Sequence, residues 1–266
     1  MNIKLYTIII CVILIIILVI LLIIKWSCKC DSYVNFVNKN SIYTAIIIEP
    51  RKHRALELVL VNFINNLDYR WNIIIFHGNK NVNYTKNIID NNPVLMTNKH
   101  RIKLINLNVD NLSIDDYNKL LKTKSFYDNI QTEMFLVFQT DTMICSHHKN
   151  NIYKFIDYDY VGAPWTDGNV GNGGLSLRRK SKMIEIIEKN NLSQDKTNED
   201  LVFSGILNNL VSVNKPSFLD AKNFSIESVH NNKSFGLHKP WNYLKEEELI
   251  QINNFCPGFN DLRRLQ

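Results

Sequence analysis

The stretch that decides the fold is Met134 to Asp141, MFLVFQTD. Five apolar residues in a row, Met134 to Phe138, are bounded by polar neighbours and predict a strand buried on both faces. Such a strand has no packing use for a carboxylate at its tip. Asp141 stands there all the same, after Gln139 and Thr140. An ionised carboxylate in that place must be solvated, paired or bound to a metal. Its plain alternative is a loop Asp that caps the next turn.

Outward from this strand the pattern is regular. Toward the N-terminus, Ile42 to Ile48 reads as another buried strand. Pro50 to Leu67 follows with apolar residues on roughly one helical face, and Pro50 suits a first turn. Trp71 to Phe76 and Ile102 to Leu107 are two further strands. Ser113 to Leu121 is a short helix with Ser113 as its N-cap and Asp116 three residues on. Strands alternating with helices predict an α/β domain with a mostly parallel central sheet, and in such sheets ligands sit beyond the carboxyl ends of the strands. Asp141 lies at such an end.

The 266 residues suffice for a membrane segment and one sizeable domain. Hydrophobic residues make up 45% and charged residues 21%, enough for a globular core. The net charge of +6 is scattered, with no long basic run, so a nucleic-acid groove is not indicated. Asn, Ile and Lys are abundant throughout, which weakens arguments built on Asn alone. Leu5 to Ile24 carries no charge over about 20 residues and would span about 30 Å as a helix, one hydrocarbon core. It is longer than a signal-peptide core and lacks a small-residue cleavage site, so an uncleaved anchor is expected. The expected organisation is a tail over 1–4, a transmembrane anchor over 5–25, a stem over 26–40 and one domain over 41–266. Positive charge does not choose the orientation, because Lys4 lies on one side and Lys25 and Lys29 on the other. Five cysteines, Cys11, Cys28, Cys30, Cys145 and Cys256, include no CxxC pair, so neither a zinc site nor a disulfide framework is expected. Sequons begin at Asn83, Asn111, Asn191, Asn223 and Asn232, about the number expected by chance in so Asn-rich a chain.

Three later segments carry polar chemistry. Asp159 to Leu177 runs through a rigid GAPW turn, with Trp165, into a loop with Gly168, Gly171, Gly173 and Gly174. These glycines let a backbone approach a ligand or adopt positive φ. The loop is neither GxGxxG nor a P-loop, and a plain hairpin turn is the alternative. Thr197-Asn198-Glu199-Asp200 reads as a helix start, where acids suit the dipole. It is also a place to present a general base. Ser234 to Tyr243, SFGLHKPWNY, sets His238, Lys239 and Trp241 around a proline-fixed turn.

Taken in order, FQTD, YDYVGAPW, GNGGLSLR, NEDLVFS and HKPW resemble a GT-A-fold glycosyltransferase. More narrowly, they resemble a family of GT-A-like proteins long described as a domain of unknown function, with members in giant viruses. The resemblance covers about Ile42 to Tyr243. It implies a Rossmann-like sheet flanked by helices, transfer of a sugar from a nucleotide-diphosphate sugar to a hydroxyl on a protein or glycan, and a divalent metal, Mn²⁺ or Mg²⁺. The Asp-x-Asp motif of that fold reads Gln139-Thr140-Asp141 here, so only the second carboxylate survives. Asp141 and His238 would bind the metal. Gln139, Gly173, Gly174, Trp165, Lys239 and Trp241 would contact donor or acceptor. Asp200 or Glu199 would deprotonate the acceptor in an inverting displacement. A single N-terminal anchor would place the domain on a host endoplasmic-reticulum or Golgi-type membrane, or a virion membrane if the chain is viral. The competing readings are a catalytically inactive membrane-anchored surface or sugar-binding protein of the same fold, favoured by the missing first Asp, and a nucleotidyltransferase, which would want a more basic phosphate loop.

Overall fold

The computed structural model describes residues 41–192 and 195–266, together with the pair 16–17. The expected tail and stem, and all of the expected anchor except Ile16 and Ile17, lie outside the described residues. Among the described residues no helix is long and apolar enough to cross a membrane.

The central sheet has six strands. β1 (Tyr43–Ile48), β2 (Trp71–His77), β3 (Ile102–Asn106) and β4 (Met134–Phe138) run parallel in the order β3-β2-β1-β4. The sheet continues with β7 (Ser176–Arg179), antiparallel to β4, and ends at β6 (Tyr160–Val161), antiparallel to β7. It is therefore mixed, with a parallel majority. The alternation of each strand feeds two cores. Ala45, Ile47, Ile73, Ile75, Leu136 and Phe138 face one, and Ile46, Ile48, Ile74, Phe76, Phe135 and Val137 face the other. With both faces covered, every position of β2 and β4 is buried, which is why MFLVF reads as an unbroken apolar run.

Helix α1 (Leu56–Asn66) covers the first face with Leu56, Val59, Leu60, Phe63 and Ile64, and the Phe63 ring stacks on Phe138 at 3.9 Å between centroids. The helices α2 (Val82–Asn91) and α3 (Pro93–Thr97) follow β2. Helix α4 (Ile114–Leu121) begins with the expected capping box of Ser113 and Asp116. The second face is covered by α5 (Lys180–Asn190), through Met183 and Ile186, and by α6 (Glu199–Phe203), through Val202 and Phe203.

Two expectations need correction. The first helix does not begin near Pro50. The Glu49 carboxylate accepts from the backbone N–H and the guanidinium of Arg51, while Asn81 Nδ2 donates to the carbonyls of Glu49 and Arg51. These bonds hold the chain after β1 as a loop, and the helix waits until Leu56. The second correction is that Cys145 and Cys256 form a disulfide, their Cα atoms 4.4 Å apart across 111 residues of sequence. Spacing along the chain gives no sign of such a pairing.

Beyond β4 the chain turns sharply. The Thr142 N–H and hydroxyl both donate to the Gln139 carbonyl. β5 (Thr142–Ile144) then leaves the main sheet and pairs antiparallel with β9 (Gly236–His238), which pairs parallel with β8 (Ser225–Ile226). The short helix α7 (Phe218–Ala221) precedes β8, and α8 (Glu246–Phe255) and α9 (Phe259–Arg264) close the chain.

Candidate active site

The carboxyl ends of β1 and β4 open on one cavity of about 390 Å³. Its wall includes Glu49, Gln139, Asp141, Gly173, Gly174, Glu199, Asp200, His238 and Lys239. Residues from four separate sequence segments, FQTD, GNGG, NED and HK, meet there, and two strand registers and one backbone hydrogen bond place three of them, FQTD, GNGG and HK. Thr142 faces His238 in the β5–β9 pair, and the Lys239 N–H donates to the Asp141 carbonyl. This places the Asp141 and His238 side chains together, with Asp141 Oδ1 3.5 Å from His238 Nε2. Val137 faces Ser176 in the β4–β7 pair, which brings the glycine loop to the same sheet end.

His238 and Asp141 are buried side by side. Asp141 Oδ1 and both ring nitrogens of His238 are buried and make no hydrogen bond of good geometry, their polar neighbours being each other and Glu227 Oε1. Buried polar atoms are paired in nearly all folded proteins, so orphans of this kind need an explanation. Burial pushes the Asp141 carboxyl up, but the His238 and Lys239 charges outweigh it and hold the group below its ordinary value. Burial lowers His238, and the carboxylates of Asp141 and Glu227 outweigh that in turn and raise it. One carboxylate oxygen and one imidazole nitrogen at this separation fit a divalent cation such as Mn²⁺. Among the described residues no group of three or more His, Cys, Asp or Glu is arranged to hold a metal unaided. A cation on Asp141 and His238 would therefore take its remaining donors from phosphate oxygens and water.

The two glycines are required by close approach. A Cβ on Gly174 would lie 2.2 Å from His238 Nε2. A Cβ on Gly173 would lie 2.7 Å from Glu199 Oε1 and 2.9 Å from the Asp200 Cβ. The Gly173 N–H donates to Asp200 Oδ2 at 3.2 Å. Adjacent glycines thus touch the candidate metal ligand and the acidic pair.

The acidic pair divides. Glu199 is 4% exposed and gives both oxygens to the fully buried Arg178, at 2.6 and 2.9 Å. Arg178 also donates to Ser176 Oγ and the Gly173 carbonyl, and lies over the rings of Tyr160 and Phe203. Asp200 lies on the cavity wall without a basic partner of that kind. Burial, then the neighbouring Glu199 charge, push its carboxyl up to about 6. Helix α6 is set in place from outside. Asn118 Oδ1 accepts from the Glu199 N–H, and the buried Lys122 ammonium donates to the carbonyls of Asp195 and Thr197.

Gln139 donates from Nε2 to the Tyr117 hydroxyl at 3.2 Å, on the cavity wall. Lys239 has φ of 33°, a left-handed conformation rare for a residue with a side chain. Trp165 and Trp241 are not among the residues that line the cavity. Trp165 sits by Gly171 in the turn closed by the Pro164–Val170 bridge, and Trp241 packs toward Phe259. Sequence reasoning missed Glu227, which is 1% exposed and lies beside His238 and Asn172. It missed Arg178 as well, although Arg178 closes the stretch GNGGLSLR, and Glu227 stands in no motif that suggests chemistry. A basic residue inside the strand Ser176–Arg179 is the one signal that pointed to a buried charge pair.

Comparison with solved structures bears on the fold. The galactosyltransferase LgtC, in complex with donor and acceptor sugar analogs, is similar with a TM-score of 0.54 at 11% identity, covering 84% of this chain and 95% of that one. The glycosyltransferase GlyE of Streptococcus pneumoniae TIGR4 is similar with a TM-score of 0.51 at 10% identity, covering 85% of this chain and 63% of that one. At such identities the likeness is one of fold, and the fold is that of GT-A glycosyltransferases. The chain itself belongs to the family of proteins of unknown function DUF5672, which it matches over residues 101–238. A comparison with curated proteins finds no match.

Proposed function

We propose that this protein is a metal-dependent glycosyltransferase that moves a sugar from a nucleotide-diphosphate donor to a hydroxyl of a protein or glycan. The observation that carries the reading is the buried pair Asp141 Oδ1 and His238 Nε2, 3.5 Å apart without a well-formed hydrogen bond, in a cavity that also holds Asp200. A divalent cation bound there supplies Lewis-acid stabilisation of the departing diphosphate. Lys239, on the same wall, adds a positive charge for the phosphates. Gln139 replaces the acid found at the first position of the motif with a neutral amide, which Tyr117 holds in place. Gly173 and Gly174 leave room for the sugar against the backbone. Asp200 takes the proton of the acceptor hydroxyl while the oxygen bonds to the anomeric carbon, and the carbon–oxygen bond to the diphosphate breaks with inversion. Glu199 is left out of this step because Arg178 occupies both its oxygens.

The test is release of nucleoside diphosphate from a panel of nucleotide sugars, with and without Mn²⁺, in wild type, Asp141→Ala and His238→Ala. The expected result is metal-dependent turnover with at least one donor, lost in both variants. A panel with no turnover and no donor binding would favour an inactive surface or sugar-binding protein. The anomeric configuration of the product, read by NMR, decides between inversion and retention.

We further propose that Leu5 to Ile24 anchors the chain in a membrane with the domain on an oxidising side. The uncharged run is long enough to span, and the Cys145–Cys256 disulfide suits an oxidising compartment. Full-length protein should stay in the membrane pellet through carbonate extraction, and recovery in the aqueous fraction would remove the anchor.

A further inference from the structure

We propose that Glu227 is a positioning residue that fixes His238 from behind and ties it to the glycine loop, so that His238 Nε2 faces Asp141. The inference rests on the reading of Asp141 and His238 as a cation site and adds to it a residue that does not touch the cation. Glu227 follows β8, and its carboxylate is almost wholly enclosed, at 1% exposure. Its Oε1 lies 3.0 Å from His238 Nδ1, the ring nitrogen opposite the one near Asp141. The same oxygen accepts from Asn172 Nδ2 at 2.8 Å. Asn172 Oδ1 in turn accepts from the Gly174 N–H, and Gly174 is the residue whose backbone lies against the His238 ring. One carboxylate thus joins three segments: the strand end after β8, the HKPW turn shortly after it, and the GNGG loop 55 residues away.

A buried carboxylate is costly unless it is paired. Oε2 of Glu227 has no hydrogen-bond partner, and the Nδ1 contact is close without being a linear hydrogen bond. The group is therefore held in a buried place by one amide hydrogen bond, from Asn172, and one contact to an imidazole. A carboxylate on the far nitrogen is how ligating histidines are given a fixed tautomer and orientation. Placed here it favours the proton on Nδ1 and leaves the Nε2 lone pair toward Asp141.

The full chain is compared as wild type, Glu227→Gln and Glu227→Ala by two measurements. Free Mn²⁺, added alone, is followed by electron paramagnetic resonance, and the ¹⁵N shifts of His238 report which ring nitrogen carries the proton. Wild type should show Nε2 unprotonated in the neutral ring. The Gln variant, which conserves volume, should weaken Mn²⁺ binding by about 10-fold and the Ala variant by up to about 100-fold, the range of such outer-shell changes, with a mixed tautomer in both. If the Ala variant does not fold, the Gln variant decides. Wild-type Mn²⁺ affinity in the folded variants would overturn the inference. So would weakened binding with unchanged His238 shifts, which would place the effect elsewhere. If wild type itself binds no Mn²⁺, the cation reading fails, and the tautomer measurement alone decides whether Glu227 positions the ring.

Discussion

A carboxyl raised from 3.8 to about 6 gives Asp200 a double signature. As a general base it acts deprotonated, so kcat/KM should climb as pH rises through about 6 and level off above it. Asp200→Asn should lower turnover by about 10²–10⁴-fold and leave donor affinity nearly intact. The same shift has the opposite sign for stability. Between its unfolded value and about 6 the folded chain keeps a proton that the unfolded chain has released. This group therefore favours folding below about pH 4, and that advantage is lost as pH rises through about 6, a swing of about 3 kcal/mol. Asn does not titrate. The melting temperature of Asp200→Asn minus that of wild type should therefore increase between pH 4 and pH 7, and a flat difference would show that the carboxyl titrates normally. Asp141, His238 and Asp200, which line one cavity, stood out in the sequence because each sits in a polar motif beside an apolar run. Glu227 was not, since SIESV looks like any strand end until the fold sets it against His238.

At the scale of the element, α6 is a short helix whose first residue is committed to structure. Arg178 and Glu199 are both buried, and removing one partner of such a pair strands the other charge at a cost of about 3–5 kcal/mol. Glu199→Gln should therefore reduce unfolding stability by about that amount in urea, with any loss of activity following the loss of folded protein. Near-normal stability with a large fall in turnover would return the base role to Glu199. The two acids are adjacent in sequence, and only the side-chain partners separate them. The main strands were legible because burial on both faces makes them unbroken apolar runs. The start of α1 was not, because the loop over Pro50 is held by Glu49 and Asn81, the latter contributed from beyond β2. Periodicity is blind to a hydrogen bond 32 residues away.

For the whole molecule, the β5–β9–β8 sheet matters most. It is outside the main sheet, its strands are two or three residues long, and both candidate cation ligands lie at one end of it, Asp141 just before β5 and His238 last in β9. So small a sheet cannot hold its register alone. Cys145 directly follows β5, and Cys256 directly follows α8, which buries Leu249 and Ile252 in the core cluster shared with Met143, Ile144 and Leu237. The disulfide thus fastens the C-terminal helices to the strand that begins one residue after Asp141. Closing a loop of this length in the unfolded chain accounts for about 4–5 kcal/mol in the chain-entropy account, and native disulfides commonly return 2–5 kcal/mol. Cys145→Ser with Cys256→Ser should therefore lower the urea midpoint by an amount equivalent to about 2–5 kcal/mol, and reductant should do the same to wild type but nothing further to the double variant. Because the bond braces the sheet under Asp141 and His238, Mn²⁺ affinity should fall together with stability. Unchanged stability in the double variant would mean that packing around Met143 and Leu249 holds the sheet without the bond.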